Sequence, residues 1–246
     1  MSLNESDIYP FSVTDLSSKD ALVIAPHPDD ETLGCGGSII KHVQAGSRVK
    51  VIFLTNGDKG DFKGKFGKDY INIRKKSAIK AMEILGVNDF EFWEFGDREI
   101  NASLDKISEK IKNSMETFNP SVIYATSPLE AHPDHKSAFN LVWQFRETFK
   151  GCFAFYEVLM ALYPNILVDI TSQFKKKQKA IKQYKTENYY NDYLEKISGL
   201  NRFRTATLPN SIKYAEAFLL INTPLSASYL NSNFIFNSQF HFINNV

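Results

Sequence analysis

Two short segments of this chain concentrate residues that can do chemistry. One is His27-Pro28-Asp29-Asp30-Glu31; the other is Glu130-Ala131-His132-Pro133-Asp134-His135. Each follows a run of strand formers, Ala21-Leu22-Val23-Ile24 and Val122-Ile123-Tyr124-Ala125, so each sits where a strand ends. Three of the five histidines fall in these segments; the others are His42, in a helical stretch, and His241, in the tail. A turn that only caps a helix needs one Asp or Thr. Three carboxylates packed together repel one another unless a cation compensates. His27 and Asp30, three apart on a turn, can reach one ion, and His135 or His132 can close the set. Catalytic zinc takes three such ligands and keeps a position for water. Such a set suits hydrolysis by a metal-activated water. Zinc lowers the pKa of the water toward ~7, a carboxylate takes its proton, and a histidine donates to the oxyanion.

Rival readings fit less well. Gly34-Cys35-Gly36-Gly37 invites a dinucleotide fingerprint, but Ile39 stands where the third glycine is needed and the loop is acidic where a pyrophosphate would approach. These glycines are expected to let the backbone turn tightly behind a crowded site. Two histidines and a carboxylate also suit iron(II) in an oxygenase, yet no co-substrate site is signalled. Cys35 lies beside the first segment and is not counted as a ligand.

The elements that must position these segments alternate in type. Strand patterns at 21–24, 49–54, 90–93 and 122–125 are separated by helical patterns at 38–45, 72–85 and 104–118. This predicts an α/β fold, a Rossmann-like, mainly parallel sheet flanked by helices, with the site at the carboxyl ends of the strands. The first and fourth strands can then lie side by side at the switch point, with their loops facing each other. Further along, the sequence predicts a helix over 135–149, strands over 153–159 and 166–170, helical structure over 172–203 and a strand over 216–221. Lys175-Lys176-Lys177 reads as a solvated helix face. Phe234, Phe236, Phe240 and Phe242 suggest an edge strand or a packed tail. The loop from Gly57 to Tyr70, with four glycines and several lysines, is expected to be mobile and either to fold over a substrate or to run along the surface. Without repeat or linker, the chain reads as one domain, 1–246, with its core at about 20–221.

Composition narrows the function classes. The 246 residues are 43% hydrophobic and 23% charged, as in an ordinary globular protein. A net charge of +1 argues against nucleic-acid binding through a general basic surface. Two cysteines argue against a disulfide scaffold and for a reducing compartment. No apolar run reaches the ~18–20 residues of a membrane span. The polar, acidic start lacks a signal-peptide pattern, so the expected location is cytoplasmic.

The paired HPDD and HPDH segments resemble the PIG-L/LmbE-like family of zinc-dependent N-deacetylases. Arg74 with Ala81 and Leu85-Gly86 is similar to that family's arginine-bearing helix, and Gly96-Asp97 to its acidic turn after the third strand. Asp169-Ile170-Thr171, Lys179-Ala180, Tyr184 and Ala215-Glu216-Ala217-Phe218 extend the resemblance to about residues 20–221. The resemblance implies zinc held by His27, Asp30 and His135, Asp29 as general base, and His132 as oxyanion stabiliser or as acid for the leaving amine. Asp134 would orient His132, and Arg74 and Asp97 would contact the substrate. Ser77 and Ala131 depart from the residues common in the family, glutamate and glycine. The implied partner is a small amino sugar conjugate from which an acetyl group is removed. A thiol conjugate, an antibiotic or a surface-glycan precursor would suit the same mechanism. A non-catalytic binding module would not need both Asp29 and His132. The oligomeric state is not implied.

Overall fold

The computed structural model describes residues 13–224. Seven strands, β1 (Ala21–Ala25), β2 (Val49–Thr55), β3 (Asp89–Phe95), β4 (Val122–Thr126), β5 (Cys152–Tyr156), β6 (Ile166–Asp169) and β7 (Ala215–Asn222), form one sheet in the order β3-β2-β1-β4-β5-β7-β6. The first five run parallel, and β7 pairs antiparallel with both β5 and β6. The helices are α1 (Asp30–Gln44), α2 (Tyr70–Leu85), α3 (Leu104–Phe118), α4 (Pro133–Trp143), α5 (Phe174–Ile181), α6 (Lys185–Asn191) and α7 (Tyr193–Phe203).

The central strands are unbroken apolar runs because helices cover both faces of the sheet. Along β1, Ala21, Val23 and Ala25 join the core beneath α1, α2 and α5. The alternate residues, Leu22 and Ile24, join the core beneath α3 and α4. Helix ends follow local chemistry. Gly86, at φ 91°, closes α2, and Asn119, at φ 51° ahead of Pro120, closes α3. The fold is thus the expected α/β class, and β1 pairs directly with β4.

Several local expectations change. Helix α1 begins at Asp30 rather than Ser38, so the glycine run lies inside it, across a kink at Cys35. A Cβ at Gly34 would collide with the Tyr156 ring, and one at Gly37 with Ile170. These glycines therefore serve close helix–sheet approach, not a tight turn. Helix α4 stops at Trp143, six residues short of Phe149. Strand β5 ends at Tyr156, where the chain turns away to cover the site. The 172–203 stretch divides into three helices. Lys177 is fully buried, against the reading of its run as a solvated face. The phenylalanine-rich tail and His241 lie outside the described residues.

Candidate active site

Because β1 and β4 run side by side in the same direction, the segments that follow them meet at the carboxyl edge of the sheet. Past β1, the chain passes His27 and Pro28 and enters α1 at Asp30. Asp29 has a φ of 144° and a ψ of −32°, a backbone region an L residue occupies only when its surroundings compel it. The Asp29 N–H donates to Glu31 Oε2 at 3.1 Å, and its Oδ1 accepts from Arg74 Nη2 at 3.3 Å. Glu31 is fully buried and also accepts from Tyr184 Oη at 2.6 Å. Burial pushes the Glu31 carboxyl up to about 7 despite these donors. The result is that two adjacent carboxylates point apart, Asp29 to Arg74 and Asp30 to the histidines.

Asp30 Oδ2 lies 3.1 Å from His27 Nδ1 and 3.3 Å from His135 Nε2. On its other side, His27 Nε2 faces Asp134 Oδ2 at 3.2 Å and Asp97 Oδ1 at 3.4 Å. His132 is the N-cap of α4: its Nδ1 accepts the Asp134 N–H at 3.2 Å, and its Nε2 lies 3.8 Å from Asp97 Oδ1. Donor atoms of His27, His132 and His135 all lie within 4.8 Å of one another, as do those of His27, Asp97 and Asp134. The trio His27, Asp30 and His135 is joined instead through the shared contacts of Asp30 Oδ2.

The charges in this cluster bear on what it can hold. Burial alone would lower His27, but contacts with Asp134, Asp30 and Asp97 raise it well above the usual imidazole range. Burial likewise works against His135, while Asp30 and Glu130 push it up to about 9. Burial would raise Asp97, yet His27 and His132 hold it at about 2. The surrounding carboxylates thus favour positive charge at this place, and a divalent cation would supply it. Imidazole nitrogen and carboxylate oxygen are the donors that zinc takes. Buried Asp97 Oδ1 makes no hydrogen bond of ordinary geometry and meets His27 Nε2 at 3.4 Å, His132 Nε2 at 3.8 Å and Arg98 Nε at 4.0 Å. The donor set fits a divalent ion.

The predicted residues converge, but not all in the expected attitude. Asp134, expected to orient His132, sends its carboxylate to His27 Nε2 and to the Arg98 N–H, 2.6 Å away; only its backbone N–H meets His132. Arg74 is buried, with Nη1 donating to Gly57 O at 3.0 Å, Nη2 to Pro28 O at 2.8 Å, and Nε 2.7 Å from Glu187 Oε1. A Cβ at Gly57, whose φ is +64°, would collide with that guanidinium. The cleft encloses about 590 Å³, open to solvent, and is lined by the three histidines, Asp29, Asp30, Arg74 and Asp97. Tyr70, Tyr190 and Tyr193 form an aromatic side.

Two contributors have no role that the sequence assigns. Glu187, on α6, completes the surroundings of Arg74 but stands in an unremarked polar helix. Glu130 falls inside the second segment, yet its type alone gives no role; the fold places it under His135. The Gly57–Tyr70 loop is held by Asp61, which accepts from the N–H groups of Lys65, Phe66 and Gly67 and from Tyr190 Oη at 2.7 Å.

Known proteins agree with this architecture. The family described as PIG-L: GlcNAc-PI de-N-acetylase matches residues 22–146. The chain is 32% identical over 124 residues to the diacetylchitobiose deacetylase of Thermococcus kodakarensis, a match covering 49% of this chain and 46% of that protein, so it spans about half of that relative's length. It is 25% identical over 227 residues to the 4-oxalmesaconate hydratase of Pseudomonas putida, covering 80% of this chain and 87% of that protein. The solved N,N'-diacetylchitobiose deacetylase of Pyrococcus horikoshii shares the fold, with a TM-score of 0.72 at 22% identity over 88% of this chain and 90% of the other.

Proposed function

The chain belongs to the PIG-L family, and on that premise we propose that it removes the acetyl group from an N-acetylglucosamine-type amino sugar conjugate by metal-dependent hydrolysis. One observation carries the reading: a strained, separately held carboxylate, Asp29, stands beside a buried histidine–carboxylate cluster at the floor of one cleft. His27, Asp30 and His135 would hold the ion, zinc by the chemistry of the donors. When bound, zinc supplies Lewis-acid polarisation and a lowered pKa for the attacking water.

The remaining work falls to side chains. Asp29 takes the proton of the water as its oxygen attacks the amide carbon. Burial raises the Asp29 carboxyl above the usual carboxylate range, against the pull of the Arg74 guanidinium. As the carbon–nitrogen bond breaks, Asp29 returns the proton to the leaving amine, giving acetate and the free amino sugar. His132 has a narrower role than the resemblance implies. A backbone N–H can only donate, so Nδ1 accepts from Asp134 N–H and the neutral ring carries its proton on Nε2. That Nε2–H is a donor for the oxyanion. Losing it to the amine would leave an imidazolate, so protonation of the amine is assigned to Asp29. Asp97 Oδ1 and the remaining Nη1 N–H of Arg74 are the groups proposed to meet the sugar. The tyrosine side suits a polyhydroxylated ring.

The hydratase relative raises a second chemistry, addition of water to an unsaturated polycarboxylate. Asp29, Asp30, Asp97 and Glu187 line the cleft against Arg74 and Arg98, which disfavours a polyanionic substrate. Cys35 and Cys152 are both buried and free, which supports the cytoplasmic placement expected from sequence. No helix among the described residues is long and apolar enough to cross a membrane. The test is acetate release from a panel of N-acetyl amino sugar conjugates, with turnover lost on chelation and restored by zinc. Turnover of an unsaturated polycarboxylate without any acetate release would overturn the assignment.

A further inference from the structure

Glu130 is fully buried and takes no part in the chemistry described above. Its Oε2 lies 3.2 Å from His135 Nδ1. Its Oε1 accepts from the N–H groups of Val158 at 2.7 Å, Leu159 at 3.1 Å and Met160 at 3.2 Å, and Leu159 also reaches Oε2 at 3.3 Å. Three backbone N–H donors and His135 Nδ1 therefore converge on one carboxylate. The two sides of this carboxylate belong to different parts of the cleft. His135 is on its floor, and Val158 and Leu159 form one wall. This wall is the segment in which the chain leaves β5, and its Leu159 and Met160 side chains are exposed.

We propose that Glu130 is a positioning residue that couples the floor of the cleft to its wall. Toward the floor, an acceptor at Nδ1 fixes the proton there and leaves Nε2 facing Asp30, which is the orientation a ligating imidazole needs. Toward the wall, the same carboxylate replaces the strand pairing that the 158–160 backbone gives up when β5 ends. A neutral amide cannot do both. Glutamine has one acceptor oxygen and an NH₂ group; an oxygen kept on the wall leaves the NH₂ facing both His135 Nδ1 and the Leu159 N–H, so the tautomer reverses and the wall loses part of its hold.

The floor half of this inference rests on the proposed metal set; the wall half does not. Glu130→Gln is compared with the wild type by zinc affinity in chelator competition and by amide hydrogen exchange of the metal-free protein. The expected result is a 10–100-fold weaker zinc affinity together with lost protection at 158–160, while the amides of 152–156 keep theirs. A change on one side only overturns the coupling. A wild type that binds no zinc sinks the proposed metal centre, whereas unchanged zinc affinity in the variant sinks only the role of Glu130. Should the variant fail to fold, the zinc-loaded wild type decides. His135 Nδ1 must then carry a slowly exchanging imidazole proton, and a rapidly exchanging one overturns the proposal.

Discussion

Asp29 and Asp30 are neighbours in sequence with the same side chain, and the backbone at Asp29 aims them at different partners. The positive φ turns one carboxylate to Arg74 and the other to His27 and His135. Asp29→Asn keeps size and polarity but cannot take a proton. It should keep its zinc and lose roughly 10²–10⁴-fold in kcat. Asp30→Ala should instead lose zinc. Metal content and kcat measured side by side on both variants check the assignment, and the opposite pattern would reverse the roles. Gly57→Ala tests the support behind Asp29, because a methyl group there displaces the Arg74 guanidinium. Its kcat should fall with zinc content unchanged; a kcat equal to wild type would mean that Arg74 does not hold Asp29. The HPDD and HPDH residues were legible from type and spacing. The attitude of Asp134 was not, because the turn before α4 gives His132 the backbone N–H and leaves the carboxylate for His27.

Helix α1 carries the site at one end and is broken at Cys35, with φ −135° and ψ 21°. The break exposes the amides of a second helical start, and Glu216 on β7 accepts from the N–H of Gly37 at 2.7 Å and of Ser38 at 2.8 Å. Lys177 Nζ, on α5, balances that carboxylate at 2.7 Å and also reaches Asn201 Oδ1 at 3.0 Å. Both members of the pair are fully buried. Removing one partner leaves a charge uncompensated, so Lys177→Met should cost about 3–5 kcal/mol. The double variant Lys177→Met/Glu216→Gln should recover part of it. Urea midpoints measure both, and a loss below ~1 kcal/mol in the single variant would contradict the buried-pair account. Sequence reading placed Lys177 in solvent because it stands in a lysine run. The signal that opposed this is its spacing: Phe174, Lys177 and Ile181 share one helix face, and all three are buried.

At the scale of the whole molecule, the sheet is closed on both faces, and its burial reaches a histidine far from the cleft. His42 of α1 is buried beside Tyr124, with Nε2 2.9 Å from Tyr124 Oη. Burial lowers it from 6.5 to about 4. Between these values the unfolded chain binds a proton that the folded chain refuses, so stability rises with pH across the window. The contribution is complete above pH 6.5 and is lost as pH falls through about 4, at most roughly 3 kcal/mol. Urea unfolding at pH 7 and pH 5 should show wild type losing more stability than His42→Gln. Equal losses would show that His42 does not remain neutral in the folded state.

The alternation of apolar runs and helical spacings determined the α/β class, because strands covered on both faces and helices covered on one leave different periods in a sequence. The two polar segments determined the cleft edge, because only a strand end can bring such residues together without burying them unpaired. Both signals are local, within a few residues of one another. The contacts that finish the site are not. Glu187 reaches Arg74 from a helix more than a hundred residues away, Glu130 joins His135 to the 158–160 backbone, and Glu216 supports α1 from β7. Glu130 and Glu216 fall inside segments that the sequence singles out, but neither type nor spacing gives any of the three its contact. Tertiary structure alone gave each its task, because a buried carboxylate is fixed by the donors that the fold aims at it.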